Sequence, residues 1–237
     1  MTDVPLLSVI IPAFNESGVL GETLRSVIAH CDQRGFVYEL IVIDDGSTDD
    51  TAAIAGMFAE KHRHVRLLQH PQNRGKGAAV KTGVLASRGE RVLFMDADHS
   101  VDISHIDAFF SAYEAGSDIV IASIAIPGAI VDDVHGKARR YAGLAAKLLI
   151  EVCATPGIHD TQRGFKLLRG EHARHIFQET RTERWGFDIE VLRHAQKRAL
   201  RIRELPVAWH NHKRSNIGIR DYLRTLVELF GILRRRY

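Results

Sequence analysis

The strongest constraint on the fold of this chain is a rhythm in its first half. Between residues 7 and 123, short β-branched runs alternate with segments of helical period, joined by connections of a few residues. Leu7–Ile11, Glu39–Ile43, Val65–Gln69, Arg91–Met95 and Asp118–Ser123 read as buried strands. Gly18–His30, Ser47–Glu60, Gly75–Ala86 and Asp102–Ala115 read as the helices between them; in the first, Val19, Leu20, Leu24, Val27 and Ile28 form one stripe. Strand and helix in alternation predict an α/β fold, a mostly parallel sheet with helices on both faces. Ligands of such sheets bind beyond the carboxyl ends of the strands. Those ends carry Pro12–Glu16, Asp44–Ser47, Asn73–Lys76 and Asp96–Ser100, so four polar clusters are expected around one crevice.

After Ser123 the rhythm changes. Ile124–Val134 reads as irregular, His135–Cys153 as one helix, Thr155–Gly164 as a loop, Phe165–Leu168 as a short apolar run and Arg201–Trp209 as one strand. Ile217–Tyr237 is amphipathic: Ile219, Tyr222, Leu223, Leu226, Val227, Phe230 and Leu233 make a stripe, with Arg220, Arg224 and Arg234–Arg236 outside it. Two readings of that stretch stand, a terminal helix packed on the domain and an interfacial helix lying on anionic lipid. At 237 residues the chain is expected to form one domain, with residues 1–123 as its ligand-binding half, 124–216 as a second half and 217–237 as the terminal helix.

A net charge of +3 is too mild to argue for nucleic acid. The basic residues nevertheless gather in the second half, among them Arg139, Arg140, Lys197, Arg198, Arg201, Arg203, Lys213 and Arg214, which suggests an anionic partner or a membrane surface there. Cys31 and Cys153 have no ligand spacing and fit a reducing, cytoplasmic compartment. Met1–Leu7 is too short and polar for a signal peptide. No run approaches the roughly 18 apolar residues of a spanning helix. The expectation is a cytoplasmic protein, soluble or peripheral at the membrane face, unless a membrane-anchored partner or a missing segment anchors it.

Three of the polar clusters carry recognisable chemistry. Asp96 and Asp98 stand one residue apart at a strand exit, so their carboxylates point roughly the same way. Such a pair suits a hard divalent cation, which in turn holds a diphosphate; the alternative is a solvated turn. Asp44 and Asp45 can accept hydrogen bonds from a base imide or a ribose hydroxyl, while Ser47 caps the next helix. In Asn73-Arg74-Gly75-Lys76-Gly77 two glycines let backbone approach a phosphate and the following helix offers free N–H groups. It lacks the P-loop spacing.

In order along the chain, Val9-Ile10-Ile11-Pro12-Ala13-Phe14-Asn15-Glu16, Ile43-Asp44-Asp45-Gly46-Ser47-Thr48-Asp49, Asn73-Arg74-Gly75-Lys76-Gly77 and Asp96-Ala97-Asp98 resemble the inverting, family-two nucleotide-sugar glycosyltransferases of the GT-A fold. Asp160-Thr161-Gln162-Arg163-Gly164-Phe165-Lys166 is similar to the Asp-Thr-Gln-Cys-Gly-Phe-Lys segment of dolichyl-phosphate glucosyltransferases, and Arg184–Glu190 and Glu204–Trp209 to later blocks of the same enzymes. The resemblance implies metal-dependent transfer of a hexose from a nucleoside diphosphate to a polyprenyl phosphate, with Mg²⁺ or Mn²⁺ as cofactor. UDP-glucose is the first expected donor and GDP-mannose the second.

The same resemblance assigns Pro12, Phe14, Glu16, Val42, Asp44 and Asp45 to the nucleoside pocket. Asp96, Ala97 and Asp98 would lie at the diphosphate, with Asp96, Asp98 and Ser100 at the metal and Lys76 and Lys213 at the phosphates. Arg139, Arg140, Gln162 and Lys166 would meet the acceptor. Asp188 has two readings, a base for a hydroxyl acceptor or a structural carboxylate orienting Arg184 or Lys166. The chain departs from these relatives at His99-Ser100, where the glucosyl branch usually has Gly-Ala, and at Arg163, where it has cysteine. The amino-terminal membrane helix common in the eukaryotic glucosyl enzymes is expected to be absent. Competing readings are transfer to a soluble hydroxyl acceptor, a sugar-phosphate nucleotidyltransferase, for which the first strand lacks a glycine-rich, Arg-containing loop, and a non-catalytic binding protein.

Overall fold

The computed structural model describes residues 4–132, 149–210 and 219–235. Its main sheet is built from seven strands: β1 (Leu7–Ala13), β2 (Tyr38–Asp44), β3 (Val65–Gln69), β4 (Arg91–Met95), β5 (Ile119–Ser123), β7 (Phe165–Arg169) and β8 (Ile202–Pro206). Across the sheet they stand in the order β3-β2-β1-β4-β7-β5-β8. β1, β2, β3 and β4 run parallel, as do β5 and β8. β7 lies antiparallel between β4 and β5. The sheet is therefore mixed: the short apolar run at 165–168 is a central strand.

Helices cover both faces. On one, α1 (Leu20–Gln33), α2 (Thr51–Lys61) and α4 (Ile106–Glu114) pack Leu24, Val27, Ala55, Ile106 and Phe109 against Val9, Ile11, Val42 and Leu93. On the other, α3 (Lys76–Ala86), α5 (Gly170–Glu179) and α6 (Phe187–Lys197) pack Val80, Ile176, Phe177, Phe187 and Val191 against Ile10, Ile41, Ile43 and Phe94. Alternate residues of each central strand serve opposite faces, so the strands read as continuous apolar runs.

Some boundaries differ from the sequence reading, each for a local reason. α2 begins at Thr51, and Ser47 is not its cap. The residues before it hold the β1 loop instead: Asn15 N donates to Ser47 Oγ at 2.9 Å, Thr48 N to Asn15 Oδ1 at 2.9 Å and Ser17 N to Asp49 Oδ2 at 3.2 Å. The strand expected over 201–209 breaks at Val207, after Pro206, which has no N–H to donate. Beyond it β9 (Ala208–His210) pairs in parallel with β6 (Ile130–Asp132), a strand inside the segment expected to be irregular. Buried Val207 joins the two sheets, its N donating to Ser123 O at 3.3 Å and its O accepting from Ile130 N at 3.1 Å.

Residues 149–153 are helical, and the rest of the helix expected over 135–153 lies outside the described residues. α7 (Ile219–Arg234) buries Leu229 and Ile232 against Ile150, Ala154 and Ile189. Gly186 N donates to Glu228 at 2.8 Å and Arg235 Nη1 to Glu190 at 2.6 Å, which fixes the helix to the domain. Its Val227 and Phe230 stay exposed. No helix among the described residues is long and apolar enough to cross a membrane.

Candidate functional site

The carboxyl ends of β1 and β2 build one wall of the crevice. Asp44, the last residue of β2, is buried; its Oδ1 accepts from Ser47 N at 3.1 Å. Pro12 is half-buried and Phe14 exposes an aromatic face at the end of β1. Glu16 N donates to Thr51 Oγ1 at 2.8 Å, holding the loop after β1 against α2. Two residues expected in this pocket turn out to be placed otherwise. Val42 is 0% exposed and packs in the core. Asp45 is committed to the next loop: Oδ1 accepts from Arg74 N at 3.0 Å and lies 2.6 Å from His70 Nδ1, while Oδ2 accepts from Gly75 N at 2.7 Å. Asp45 thus shapes the site from behind.

That loop is closed by protein. Gly75 has φ +110°, and a Cβ there would lie 2.6 Å from Glu183 O. Ala78 N donates to the same carbonyl at 2.9 Å, and a Cβ on Gly77 would strike Phe187 Cβ at 2.7 Å. The glycines therefore admit residues 182–187 onto the start of α3, in place of the expected phosphate approach. What the loop sends into the crevice is Lys76, whose Nζ lies 2.5 Å from Asp96 Oδ1 and 5.4 Å from the Trp185 ring centroid. Burial disfavours its charge, but the Asp96, Asp188 and Asp98 carboxylates outweigh this and hold Lys76 above the usual lysine range.

Asp96 and Asp98 leave β4 as expected. Asp96 N donates to Gly164 O at 2.9 Å, and a Cβ on Gly164 would come within 2.1 Å of the Asp96 carboxyl. Only glycine at 164 leaves room for that carboxylate. Between the two aspartates, the Ala97 side chain is buried in the core and its carbonyl accepts from Thr23 Oγ1 at 2.7 Å. Ala97 spaces the pair without facing a ligand. Asp98 Oδ1 accepts from Ser100 N at 3.0 Å and Ser100 Oγ at 2.5 Å. Buried Ser100 thus orients Asp98, where direct metal contact had been expected. His99 sits at φ +58°, its Nε2 2.9 Å from Asp102 Oδ2.

The donor set fits a hard cation. Asp96 Oδ2 and Asp98 Oδ2 accept no hydrogen bond from the described residues. The described residues contain no cluster of three or more His, Cys, Asp or Glu suited to a metal. A two-carboxylate site of this kind is completed by diphosphate oxygens and water, which Mg²⁺-type ions favour.

On the far side of β4, Lys166 and Asp188 form a buried ion pair at 2.6 Å, and Lys166 Nζ also donates to Arg163 O at 2.5 Å. Burial pushes the Asp188 carboxyl up and the Lys166 ammonium down, each held back by the other. Lys166 is 0% exposed, so it orients this carboxylate and does not reach an acceptor. The partner of Asp188 is Lys166 rather than Arg184. Gln162 is exposed, its Nε2 donating to Trp185 O at 3.4 Å. Arg139, Arg140 and Lys213 lie outside the described residues. Thr23 and His70 entered the site's surroundings unannounced, because each acts through a partner distant in sequence.

Comparison with known proteins follows the same lines. The profile described as glycosyl transferase family 2 matches residues 8–177. The chain is 36% identical over 233 residues to a dolichyl-phosphate beta-glucosyltransferase of Trichomonas vaginalis, covering 94% of this chain and 69% of that protein. It is 38% identical over 216 residues to the dolichyl-phosphate beta-glucosyltransferase of Dictyostelium discoideum, covering 86% and 66%, and 31% identical over 216 residues to that of Homo sapiens, covering 86% and 67%. It spans about two thirds of the length of these relatives. Among solved structures, glucosyl-3-phosphoglycerate synthase from Mycobacterium tuberculosis, in complex with Mn²⁺, UDP-glucose and phosphoglyceric acid, matches with a TM-score of 0.73 at 19% identity, covering 98% of this chain and 81% of that one. That likeness is one of fold, the GT-A arrangement expected from the sequence.

Proposed function

The chain belongs to glycosyl transferase family 2, and from that premise we propose that it transfers glucose, with inversion, from UDP-glucose to a polyprenyl phosphate. Similarity to dolichyl-phosphate beta-glucosyltransferases over 86–95% of the chain supports the sugar and the acceptor.

The observation that carries the acceptor class is the Lys166–Asp188 pair. A hydroxyl acceptor needs a carboxylate free to take its proton. Asp188 is buried, and its Oδ1 already accepts from Lys166 Nζ at 2.6 Å. A lipid phosphate brings its own anionic oxygen and needs no such base. In the proposed step a phosphate oxygen attacks the anomeric carbon and a new C–O bond forms. The bond from that carbon to the UDP β-phosphate oxygen breaks, and UDP departs with the electron pair. No proton has to move.

The chain's own residues align and neutralise. Asp44, Pro12 and Phe14 receive the nucleoside at the ends of β1 and β2. Lys76, fixed between Asp96 and the Trp185 ring, supplies positive charge beside the diphosphate. Asp96 and Asp98 would hold Mg²⁺ or Mn²⁺, which would supply charge to neutralise the departing diphosphate. Asp45 and Ser100 keep the Lys76 loop and Asp98 in place. Arg139, Arg140 and Lys213 are proposed to add charge at the acceptor and diphosphate, and GDP-mannose is the second donor to try. A panel of UDP- and GDP-hexoses with a short polyprenyl phosphate, with and without Mn²⁺, tests the proposal. Metal-dependent transfer from UDP-glucose is expected; transfer to hydroxyl acceptors alone, or nucleotide exchange with a sugar phosphate, overturns it.

A further inference from the structure

We propose that Arg163 binds the phosphomonoester group of the acceptor; this rests on the reading of an anionic acceptor above. Position is the first argument. Residue 163 precedes Gly164, whose carbonyl takes the Asp96 N–H at 2.9 Å, so Arg163 borders the strand exit that carries the paired aspartates. Its side chain lies on the side of β4 away from Asp44. Nε donates to Asp160 Oδ2 at 3.0 Å, and the same carboxylate oxygen accepts from Ile124 N at 3.0 Å, just past the end of β5. The guanidinium lies over the Trp209 ring, 5.2 Å from its centroid. The residue after Trp209, His210, donates its N–H to Ser100 O at 3.0 Å. Arg163 is thereby set between the donor carboxylates and the small β6–β9 sheet.

Preorganisation is the second argument. Asp160 engages Nε, while Nη1 and Nη2 donate to none of the described residues. The side chain keeps 21% exposure. Two parallel N–H donors on a stacked, already oriented guanidinium match the oxygens of a phosphate, and little freedom remains to be lost on binding. The buried Lys166–Asp188 pair gains a purpose, because Lys166 Nζ also holds the Arg163 carbonyl at 2.5 Å.

The test uses the full chain with Mn²⁺ and saturating UDP-glucose, and varies a short polyprenyl phosphate and, separately, 3-phosphoglycerate. Arg163→Cys and Arg163→Lys are compared with the parent. Both lose the fork, and the lysine variant keeps the charge. The acceptor KM is expected to rise about ten- to hundredfold in Arg163→Cys, the loss of charge-assisted hydrogen bonds, and less in Arg163→Lys. The donor KM stays at the parental value, while the melting temperature falls, more in Arg163→Cys than in Arg163→Lys, because the buried Asp160 carboxylate loses its guanidinium partner. Inorganic phosphate competes with the acceptor in the parent and loses that effect in Arg163→Cys. A raised KM for polyprenyl phosphate identifies a lipid headgroup and supports the assignment; a raised KM for 3-phosphoglycerate alone, glucosylated at its hydroxyl, supports Arg163 as a phosphate anchor but overturns the lipid-phosphate reading above. An unchanged acceptor KM in both variants, with transfer intact, overturns the role of Arg163 and leaves the proposed function standing. So does a parallel rise in donor and acceptor KM, the mark of a staple. A parent that hydrolyses UDP-glucose yet transfers to no phosphomonoester overturns the proposed function and this assignment with it.

Discussion

Replacing Asp188 by asparagine separates a structural carboxylate from a catalytic base. Asp188 and Lys166 are 2.6 Å apart, and the lysine is 0% exposed. At an effective dielectric of about 20, two unit charges at that distance attract by about 6 kcal/mol. Desolvation cancels part of this, and removing one member of a buried pair costs about 3–5 kcal/mol because the other charge stays buried. The substituted amide still offers a carbonyl to Lys166, and Lys166 keeps its bond to Arg163 O. Both place the loss near the lower end, about 3 kcal/mol. For a chain of this size each kcal/mol moves the melting temperature by about 2–4 °C, so a fall of roughly 10 °C is expected. Guanidinium denaturation gives the loss directly. The double variant Asp188→Asn, Lys166→Met should be more stable than the sum of the single losses predicts, with a coupling of about 1–3 kcal/mol. If Asp188→Asn instead kept the parental midpoint and lost only turnover, Asp188 would be acting as a base and the structural assignment would be wrong.

Other perturbations read the same geometry. Gly164→Ala places a Cβ within 2.1 Å of the Asp96 carboxyl. It should cost about 1–3 kcal/mol and reduce UDP-glucose turnover more than tenfold, as steady-state kinetics and a denaturation midpoint will show. At His99, with φ +58°, glycine removes left-handed strain of about 1–2 kcal/mol but loses the Asp102 contact and some chain entropy. His99→Gly should therefore lie within about 0.5 kcal/mol of the parent, while β-branched His99→Val costs about 2 kcal/mol. His194 is fully buried, and burial together with the neighbouring Arg198 guanidinium lowers its pKa from 6.5 to about 4. The unfolded chain then binds more protons between those two values. The His194 contribution is complete above pH 6.5 and falls away toward pH 4, by up to about 3 kcal/mol. Denaturation midpoints across that window should flatten in His194→Gln.

The half of the fold built from β1 to β5 was legible because parallel strands buried on both faces read as unbroken apolar runs, each ending at a polar turn. β7 was harder. It carries Lys166 at the middle of the sheet, and the reason a lysine is tolerated there, Asp188, lies on α6. β6 and β9 are three residues each, too short to show a period. α5 and α6 went unread, although Ala173, Ile176 and Phe177, and Phe187, Val191 and Leu192, have helical spacing and are buried. In the site, Asp44, Lys76, Asp96 and Asp98 stood out because each belongs to a compact motif at a strand end. The places of Val42, Asp45, Ala97 and Ser100 did not. Whether such a side chain faces the crevice or supports it depends on His70, Thr23 and other partners that only the folded chain brings close.

The product of the reaction tests the central claim most directly. UDP-glucose, a short polyprenyl phosphate and Mn²⁺ are incubated with the full chain, and the linkage of the transferred glucose is read by NMR. The account predicts glucose joined to the lipid through its phosphate in the β configuration, formed from the α-linked donor by a single displacement. An α-linked product, or glucose attached to a hydroxyl, would contradict it.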